Sequence, residues 1–540
     1  MPHQTPQEVL FQYYGYGSFR SGQGEIVQSI IDHYDTLAVL PTGGGKSVCF
    51  QVPGLILPGV TIVISPLISL MKDQVDNLVK KGVSATYINS SLGAEELKNR
   101  LRLIGEGSYK FLYLAPERLQ STSFLSVVKD VKISLIAVDE AHCISQWGHD
   151  FRPSYREINK FITKLKERPV VAAFTGSATP AVKIDIISQL HLQDPAVFQQ
   201  SFQRKNLFFS THKCSSITEQ EFGLFRVLRK NQGSTGILYV STHKQAEYLT
   251  TLARHFGYDC ASYHAGMSGE ARSKVQEQFL SGNLKLIAAT TAFGMGIDKP
   301  DVRFVIHCSV SGSLENYYQE AGRAGRDGLP SNCYIFATQA DVEVQQRLLN
   351  QRYPDLSKLK MIWKRIQSGK SPFSVYDLEL YQQIGKKELL SILQRMVELG
   401  WLGFEEGLTE RFSSNNQDLS LFSHFSHQKK LEQSRLEKVR AYLEQPLCRT
   451  KQILSYFGED WLEKNCYHCD VCQEFPLQTT PEEKEQLKKL RALAATHRVP
   501  ISEKVLQLLM LHRPSSETEV LRIPGIGRGW AEKWAKKFFT

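Results

Sequence analysis

The sequence predicts an α/β protein built on two parallel sheets and extended by a mostly helical C-terminal third. Short apolar runs recur at residues 37–40, 60–65, 111–114, 135–138 and 170–174, then at 237–240, 286–289, 304–306 and 333–336, with segments of helical length between them. Alternation of this kind predicts parallel strands covered on both faces. Polar motifs follow several runs directly, and such sheets bind ligands at the carboxyl ends of their strands. Past residue 345 the rhythm gives way to helical periodicity and a cysteine cluster.

At 540 residues the chain has room for several domains, and the early ones are large enough to bury cores. It is 42% hydrophobic and 22% charged, a globular balance. Nothing reads as a signal peptide and no apolar run is long enough to span a bilayer, so the expected location is cytoplasmic, nucleoid-associated if bacterial, with no membrane partner. The net charge of +10 suits a polyanion such as nucleic acid. Cys49, Cys143, Cys214, Cys260, Cys308 and Cys333 are scattered, as reduced core thiols are. The remaining four cluster, which asks for a metal rather than disulfides.

In chain order, Leu37-Ala38-Val39-Leu40 reads as a buried strand that runs into Pro41-Thr42-Gly43-Gly44-Gly45-Lys46-Ser47. That is the layout of a nucleotide-phosphate loop, although the first glycine of the general pattern falls at Leu40. Consecutive glycines let backbone N–H groups wrap a polyphosphate. Lys46 neutralises its β/γ-phosphates and the Ser47 hydroxyl ligates Mg²⁺. After residues 135–138 come Asp139-Glu140-Ala141-His142. A strand ending in two carboxylates is what phosphoryl transfer needs: Asp139 for Mg²⁺ and Glu140 to polarise the attacking water. Either motif alone is more often a plain turn or a solvated strand end; together they point to an ATP site.

These two motifs resemble the first two motifs of superfamily 2 helicases, and finer detail resembles the RecQ DNA helicases. Phe19-Arg20-Ser21-Gly22-Gln23 is similar to the RecQ motif in which Gln23 reads the adenine edge, with Arg20 beside it and Tyr16 stacking on the base. The stretch from Ser65 to Gln74 and Ala115-Pro116-Glu117-Arg118 resemble DNA-backbone motifs, implying roles for Ser65 and Arg118. Cys143-Ile144-Ser145-Gln146-Trp147-Gly148-His149-Asp150-Phe151-Arg152-Pro153 is similar to the family's aromatic-rich loop. Trp147 and Phe151 offer stacking faces for unpaired bases, and Arg152 offers a charge for phosphate or a neighbouring carboxylate; the match also implies DNA contact by His149. The loop continues directly from Glu140, so a bound base could reposition that carboxylate. Ser177-Ala178-Thr179 resembles the motif linking hydrolysis to lobe movement.

The second set of runs has no phosphate loop, so that lobe completes a site rather than owning one. Tyr263-His264-Ala265-Gly266-Met267, with His264 as a DNA contact, and the stretch from Ala289 to Asp298 resemble RecQ coupling motifs. Gln319-Glu320-Ala321-Gly322-Arg323-Ala324-Gly325-Arg326-Asp327-Gly328 puts two arginines three apart, expected on one helix face and suited to phosphate. The resemblance has Gln319, Arg323 and Arg326 facing the nucleotide, with Arg326 as arginine finger. Such fingers are worth roughly 10³–10⁵ in turnover.

The middle segment departs from the common RecQ layout. Leu378, Leu389, Leu390, Ile392, Leu393, Met396, Val397 and Leu399 look helical, and Gly400-Trp401-Leu402-Gly403-Phe404 suits a strand, the outline of a small winged helix placed before the cysteines. Ser413-Ser414-Asn415-Asn416-Gln417 reads as a turn or linker, and residues 428–442 as a charged helix. Cys448, Cys466, Cys469 and Cys472 form C-x17-C-x2-C-x2-C, four thiolates able to close a structural Zn²⁺ site. The rival is an iron–sulfur cluster, but Pro476 stands where its fourth cysteine belongs. The cysteines and Leu454-Ser455-Tyr456-Phe457-Gly458-Glu459 resemble the RecQ zinc module, with His468 a bystander. From Pro481 the chain is helical and basic. Residues 487–500 and Ile523-Pro524-Gly525-Ile526-Gly527-Arg528-Gly529-Trp530 resemble the HRDC domain, whose glycine hairpin suits a phosphate; packing or protein contact is the alternative.

The expected architecture is therefore α/β: two RecA-like parallel-sheet lobes (1–205 and 206–345), a small winged-helix-like segment (346–427), a helical zinc-binding module (428–478) and a small all-α HRDC-like domain (479–540). The resemblance implies an ATP-dependent DNA helicase of recombination, repair or replication that translocates 3′ to 5′. ATP with Mg²⁺ lies between the lobes, held by Lys46, Ser47 and Asp139 and by Arg323 and Arg326. Implied partners are single-stranded and tailed or forked duplex DNA, with single-strand-binding and repair proteins. The rival readings are an RNA helicase or non-unwinding duplex translocase, and a catalytically silent nucleic-acid-binding scaffold.

Overall fold

The computed structural model describes residues 4–538 apart from 42, 90–91, 149, 295–298, 354–355, 369–372, 376, 379–383, 399–401, 405–410, 415–419, 474–480, 522 and 524. Contacts gather the chain into two compact units. The first holds Met1–Phe202, Gln346–Leu436 and Leu454–Asp460; the second holds Gln203–Gln345, Glu437–Ile453 and Trp461–Thr540.

In the first unit the strands are β1 (Thr36–Val39), β2 (Val60–Ile64), β3 (Ala85–Ile88), β4 (Phe111–Leu114), β5 (Ile133–Val138), β6 (Val170–Thr175) and β7 (Ala196–Gln199). They form one sheet in the order β3-β4-β2-β5-β6-β1-β7, with every pairing parallel. β1, β2, β4 and β6 are buried along their whole length. Strands covered on both faces read as continuous apolar runs, which is why these stand out in the sequence. Phe50 of helix Lys46–Ile56 packs on Phe174 of β6, ring centroids 5.3 Å apart, in a core with Ile26, Val63, Met71, Phe111 and Leu135.

The second unit carries β8 (Leu207–Cys214), β9 (Thr235–Tyr239), β10 (Cys260–Tyr263), β11 (Leu286–Ala289), β12 (Val302–His307) and β13 (Ser331–Thr338), parallel throughout in the order β10-β11-β9-β12-β13-β8. The C-terminal helices Pro481–Thr496 and Glu503–His512 lie on this lobe. Leu490, Leu508 and Leu509 share a core with Leu224, Phe225 and Leu228 of helix Ile217–Lys230. The ring of His512 stacks on Phe256 at 4.0 Å, and burial pushes its pKa down to about 4, so it packs as a neutral ring.

Residues 346–436 of the first unit add helices Leu356–Ser368 and Lys386–Glu398 and a three-stranded antiparallel sheet of Phe373–Ser374, Arg411–Ser414 and Leu402–Phe404. Trp363, Leu378, Leu389, Ile392, Leu393 and Met396 are its core. The expected turn at 413–417 is corrected in part: Ser413 and Ser414 finish a strand, paired with Gly403 and Leu402. Ladder partners for their backbone groups outweigh the weak strand preference of serine. Asn415, Asn416 and Gln417, like Leu399, Gly400 and Trp401, lie outside the described residues. The helix Ser420–Glu444 is continuous through residues 427 and 428.

Candidate nucleotide, nucleic-acid and metal sites

The loop after β1 enters helix Lys46–Ile56 with Gly43 and Gly45 in the left-handed region, at φ 84° and 76°. At that φ a side chain on Gly45 would be strained, and its Cβ would also press on Nε2 of Gln23, 2.4 Å away. No side chain caps the helix, leaving an N-terminus suited to a polyanion. Gln23 is buried and grips this loop: its Nε2 donates to Gly44 O at 3.0 Å, while its Oε1 accepts from Arg20 N at 2.9 Å. Arg20 Nη1 donates to Gly43 O at 2.8 Å. Arg20, Ser21, Gly22, Glu25, Gly44 and Gln200 line a cleft of about 560 Å³ beside the loop. Gln200, at the end of β7, donates to Ser21 O and was not legible as a site residue. Tyr16 is 53% exposed, open to stacking. Thr42 lies outside the described residues.

β1, β6 and β5 end at the same edge of the sheet, and their tips converge. Lys46 Nζ donates to Glu140 Oε1 at 3.2 Å. Glu140 sits at φ 46°, ψ 47°, a left-handed conformation that a glutamate holds only where the surroundings impose it, as functional sites do. His142 Nδ1 lies 3.3 Å from Glu140 Oε2 and 2.9 Å from Thr175 Oγ1, and Thr175 Oγ1 donates to Ser177 O at 3.4 Å. The Glu140 carboxylate is thereby tied through one imidazole to the Ser177-Ala178-Thr179 segment. Sequence reasoning gave neither His142 nor Thr175 a role. Asp139 is buried beside Glu140. Burial first, and then the Glu140 charge, push its pKa up to about 6, against the pull of Lys46. Its backbone carbonyl accepts from the buried Tyr155 hydroxyl at 2.9 Å. Lys46, Asp139 and Glu140 thus offer a cation, a buried carboxylate for Mg²⁺ and a base within one cluster. Ser47, half-buried in the first turn of the helix, adds the hydroxyl that suits the same ion.

The aromatic-rich loop leaves this cluster through the short 3₁₀ turn Ala141–Ile144. Trp147 is 39% exposed, and its ring meets His427 edge-on at 4.8 Å. Arg435 donates to Trp147 O, and Gln428 Nε2 donates to Gln146 O at 3.3 Å. Helix Ser420–Glu444 therefore holds the loop, a partnership between residues nearly 300 apart that no local pattern signals. Arg152 finds the carboxylate of Asp150 at 3.1 Å and also donates to Pro66 O. Phe151 is half-buried, with the Arg156 guanidinium 5.1 Å from its ring. His149 lies outside the described residues. Ser65 is 2% exposed at the end of β2, and Arg118 donates to Asn89 O at 2.9 Å.

In the second unit, His264 is buried and stacked on His243 at 4.6 Å, with Nε2 3.3 Å from Glu247. Gln319 and Glu320 are on helix Leu314–Ala321, which ends before the arginines. Arg323 and Arg326 stand in consecutive turns, which corrects the shared helix face: Gly322 caps the helix and Gly325 takes φ 57°. Arg323 is 4% exposed, with its charge beside the Tyr239 hydroxyl, which donates to Phe293 O at 2.8 Å. Met295, Gly296, Ile297 and Asp298 lie outside the described residues.

Among the described residues one cluster has the makings of a metal centre: the sulfurs of Cys448, Cys466, Cys469 and Cys472 all lie within 4.8 Å of one another. Backbone N–H groups donate to three of them, Arg449 to Cys469 at 3.4 Å, Lys451 to Cys448 at 3.5 Å and His468 to Cys466 at 3.3 Å. Four sulfurs with N–H donors around them suit thiolates on Zn²⁺. His468 gives the cluster its backbone N–H, and Pro476 lies outside the described residues.

Residues 20–187 match the DEAD/DEAH box helicase family, 220–328 the helicase conserved C-terminal domain and 409–473 the RecQ zinc-binding family. The chain is 44% identical over 363 residues to the ATP-dependent DNA helicase RecQ of Bacillus subtilis, covering 66% of this chain and 61% of that protein. It is 34% identical over 472 residues to the probable ATP-dependent DNA helicase RecS of the same organism, covering 86% of this chain and 91% of that protein. The chain spans about three fifths of the length of the RecQ relatives, 61% and 63%. Among solved structures, Mycobacterium smegmatis helicase Lhr bound to ssDNA and AMP-PNP shares the fold, with a TM-score of 0.51 at 15% identity over 81% of this chain and 62% of that one. Because the RecS match runs nearly the full length of its partner and the cysteine module falls in a RecQ family of its own, the chain belongs to the RecQ family of ATP-dependent DNA helicases.

Proposed function

We propose that the chain is an ATP-driven DNA helicase that moves 3′ to 5′ along one strand and parts the duplex ahead of it, in recombination, repair or replication. The observation that carries this is the convergence of Lys46, Glu140, His142 and Thr175 at the strand ends of one parallel sheet. In the nucleotide-free protein Lys46 neutralises Glu140. Arriving phosphate oxygens draw Lys46 away, and Glu140 is then released to take a proton from the attacking water. Ser47 and Asp139 would hold Mg²⁺, which when bound would supply charge neutralisation on the phosphates. Arg323 and Arg326 act on the same triphosphate, Arg326 as the finger. Gln23, Arg20 and Tyr16 select the adenine, and Thr42 and Gln319 complete the nucleotide contacts.

Single-stranded DNA stacks on Trp147 and Phe151; the segments of Ser65 and Arg118 serve its backbone, and Arg152, His149 and His264 are further DNA contacts. A base on Trp147 pulls on the loop that begins at Glu140, so hydrolysis depends on DNA. Residues 346–427 serve as a winged-helix-like module, 428–478 as the zinc module that stabilises the fold, and 479–540 as an HRDC-like domain. Single-stranded and tailed or forked duplex DNA, with single-strand-binding and repair proteins, are the partners, and the protein works in the cytoplasm, at the nucleoid if bacterial. The test is unwinding of 3′-tailed against 5′-tailed duplexes, with and without ATP. Unwinding confined to the 3′-tailed duplex with ATP is expected; unwinding of the 5′-tailed one, or of tailed RNA in preference, would refute it.

A further inference from the structure

Four thiolates on a metal need no help from the rest of a fold, yet the cysteine knuckle here is built into the sheet of the second unit. Phe209 of β8 donates to His468 O at 3.0 Å and accepts from Asp470 N at 3.0 Å, so the knuckle pairs along an edge strand. The Asp470 carboxylate accepts from Thr211 N at 2.9 Å and from Arg449 Nε at 2.9 Å. Arg449 is 5% exposed. It donates to Tyr442 O and to Gln445 O, and its guanidinium lies 5.4 Å from the Tyr442 ring. That ring packs on Tyr317, centroids 5.4 Å apart, and Tyr317 belongs to helix Leu314–Ala321. Tyr317 meets His307 edge-on at 5.0 Å. His307 Nε2 lies 2.8 Å from Glu320 Oε2, and the His307 ring stacks at 5.1 Å on Tyr239, the partner of Arg323. Tyr442, Tyr317 and His307 are each 1% exposed or less. An unbroken buried path thus runs from a cysteine to the turn that bears the two arginines.

We propose that Tyr442 and Arg449, clamped by Asp470, are positioning residues that convert docking of the zinc knuckle on β8 into the aim of Arg323 and Arg326. The inference rests on the reading of Arg326 as the group that acts on ATP. Close-packed interiors shift as units, so a displaced Tyr442 moves Tyr317 and the helix beneath it. Misplacement by about 1 Å costs up to 10²-fold in rate.

The test uses the full zinc-loaded chain carrying Tyr442→Leu, which keeps a smaller apolar side chain and loses the ring, and Asp470→Asn, which leaves every ring and cysteine in place. Both are expected to keep one zinc per chain and salt-sensitive DNA binding, while DNA-stimulated kcat falls roughly ten- to a hundredfold. KM for ATP is expected to stay within about twofold. Tyr442→Phe, which restores the ring, is expected to restore kcat. In an Arg326→Ala background Tyr442→Leu is expected to cause no further loss. The same loss in both backgrounds, unchanged kcat in both variants, or zinc lost from both would overturn the proposal. Wild-type turnover in Arg326→Ala alone would instead overturn the assignment of the finger, and the relay with it.

Discussion

Asp139 is held at a cost to folding, and Asp139→Asn exposes it. Burial and the neighbouring Glu140 move its carboxyl from the ordinary 3.8 to about 6. A group whose folded pKa is raised favours the folded chain in its protonated form, and that advantage is lost as pH rises through the folded value. At pH 7.5 the ionised carboxylate therefore costs the first unit about 3 kcal/mol, from 1.36 kcal/mol for each pH unit between the two values. At pH 5 the cost falls to roughly half, and below 3.8 it vanishes because the folded and unfolded chains are then both protonated. Asparagine keeps an oxygen for the Glu140 N–H, now 3.0 Å from Asp139 Oδ1, and removes the charge, but it buries an amide N–H₂ where a carboxylate oxygen stood, so the net gain is about 1–3 kcal/mol. Calorimetry of both proteins at pH 7.5 and pH 5, without nucleotide, should show the variant more stable at the higher pH and the difference shrinking at the lower. Added Mg²⁺ and ATP should raise the melting temperature of the wild type and raise that of the variant, which lacks one Mg²⁺ ligand but keeps the phosphate loop, by less. A variant less stable than wild type at pH 7.5, or a difference independent of pH, would refute the reasoning.

Lys46→Ala should abolish DNA-stimulated hydrolysis while leaving DNA binding with its steep salt dependence; turnover that survives would displace the site. Metal analysis should find about one zinc per chain, and chelation should remove it with loss of folded protein, whereas a coloured, iron-containing preparation would contradict the assignment. Arg435→Ala removes the clamp on the Trp147 carbonyl, so limited proteolysis within residues 146–153 should quicken at least severalfold, consistent with loss of a charged hydrogen bond worth about 1.5–3 kcal/mol. An unchanged cleavage rate would mean the loop holds itself.

The strands the sequence announced are those inside the two sheets: β1, β2, β4, β5 and β6, then β9, β11, β12 and β13. The four it hid, β3, β7, β8 and β10, are the sheet edges. An edge strand is covered less completely, so it carries residues such as Gln199, His212 and Lys213 and shows no continuous apolar run. Chemistry was legible where it is local. Pro41–Ser47 needs its glycines in order, Asp139 and Glu140 are adjacent, and three of the four cysteines fall within seven residues.

Tertiary structure alone decided what required distant residues to meet. The His142–Thr175 contact depends on β5 and β6 lying side by side. The hold of Arg435 on Trp147 and the seating of the cysteine knuckle on β8 join segments more than 250 residues apart. Arg323 and Arg326 are spaced like a helix face, but Gly322 and Gly325 let the chain turn so that Arg323 reaches Tyr239. Spacing along a chain reports only what the backbone can do locally. Which side chains then share a buried site is settled by sheet order and packing.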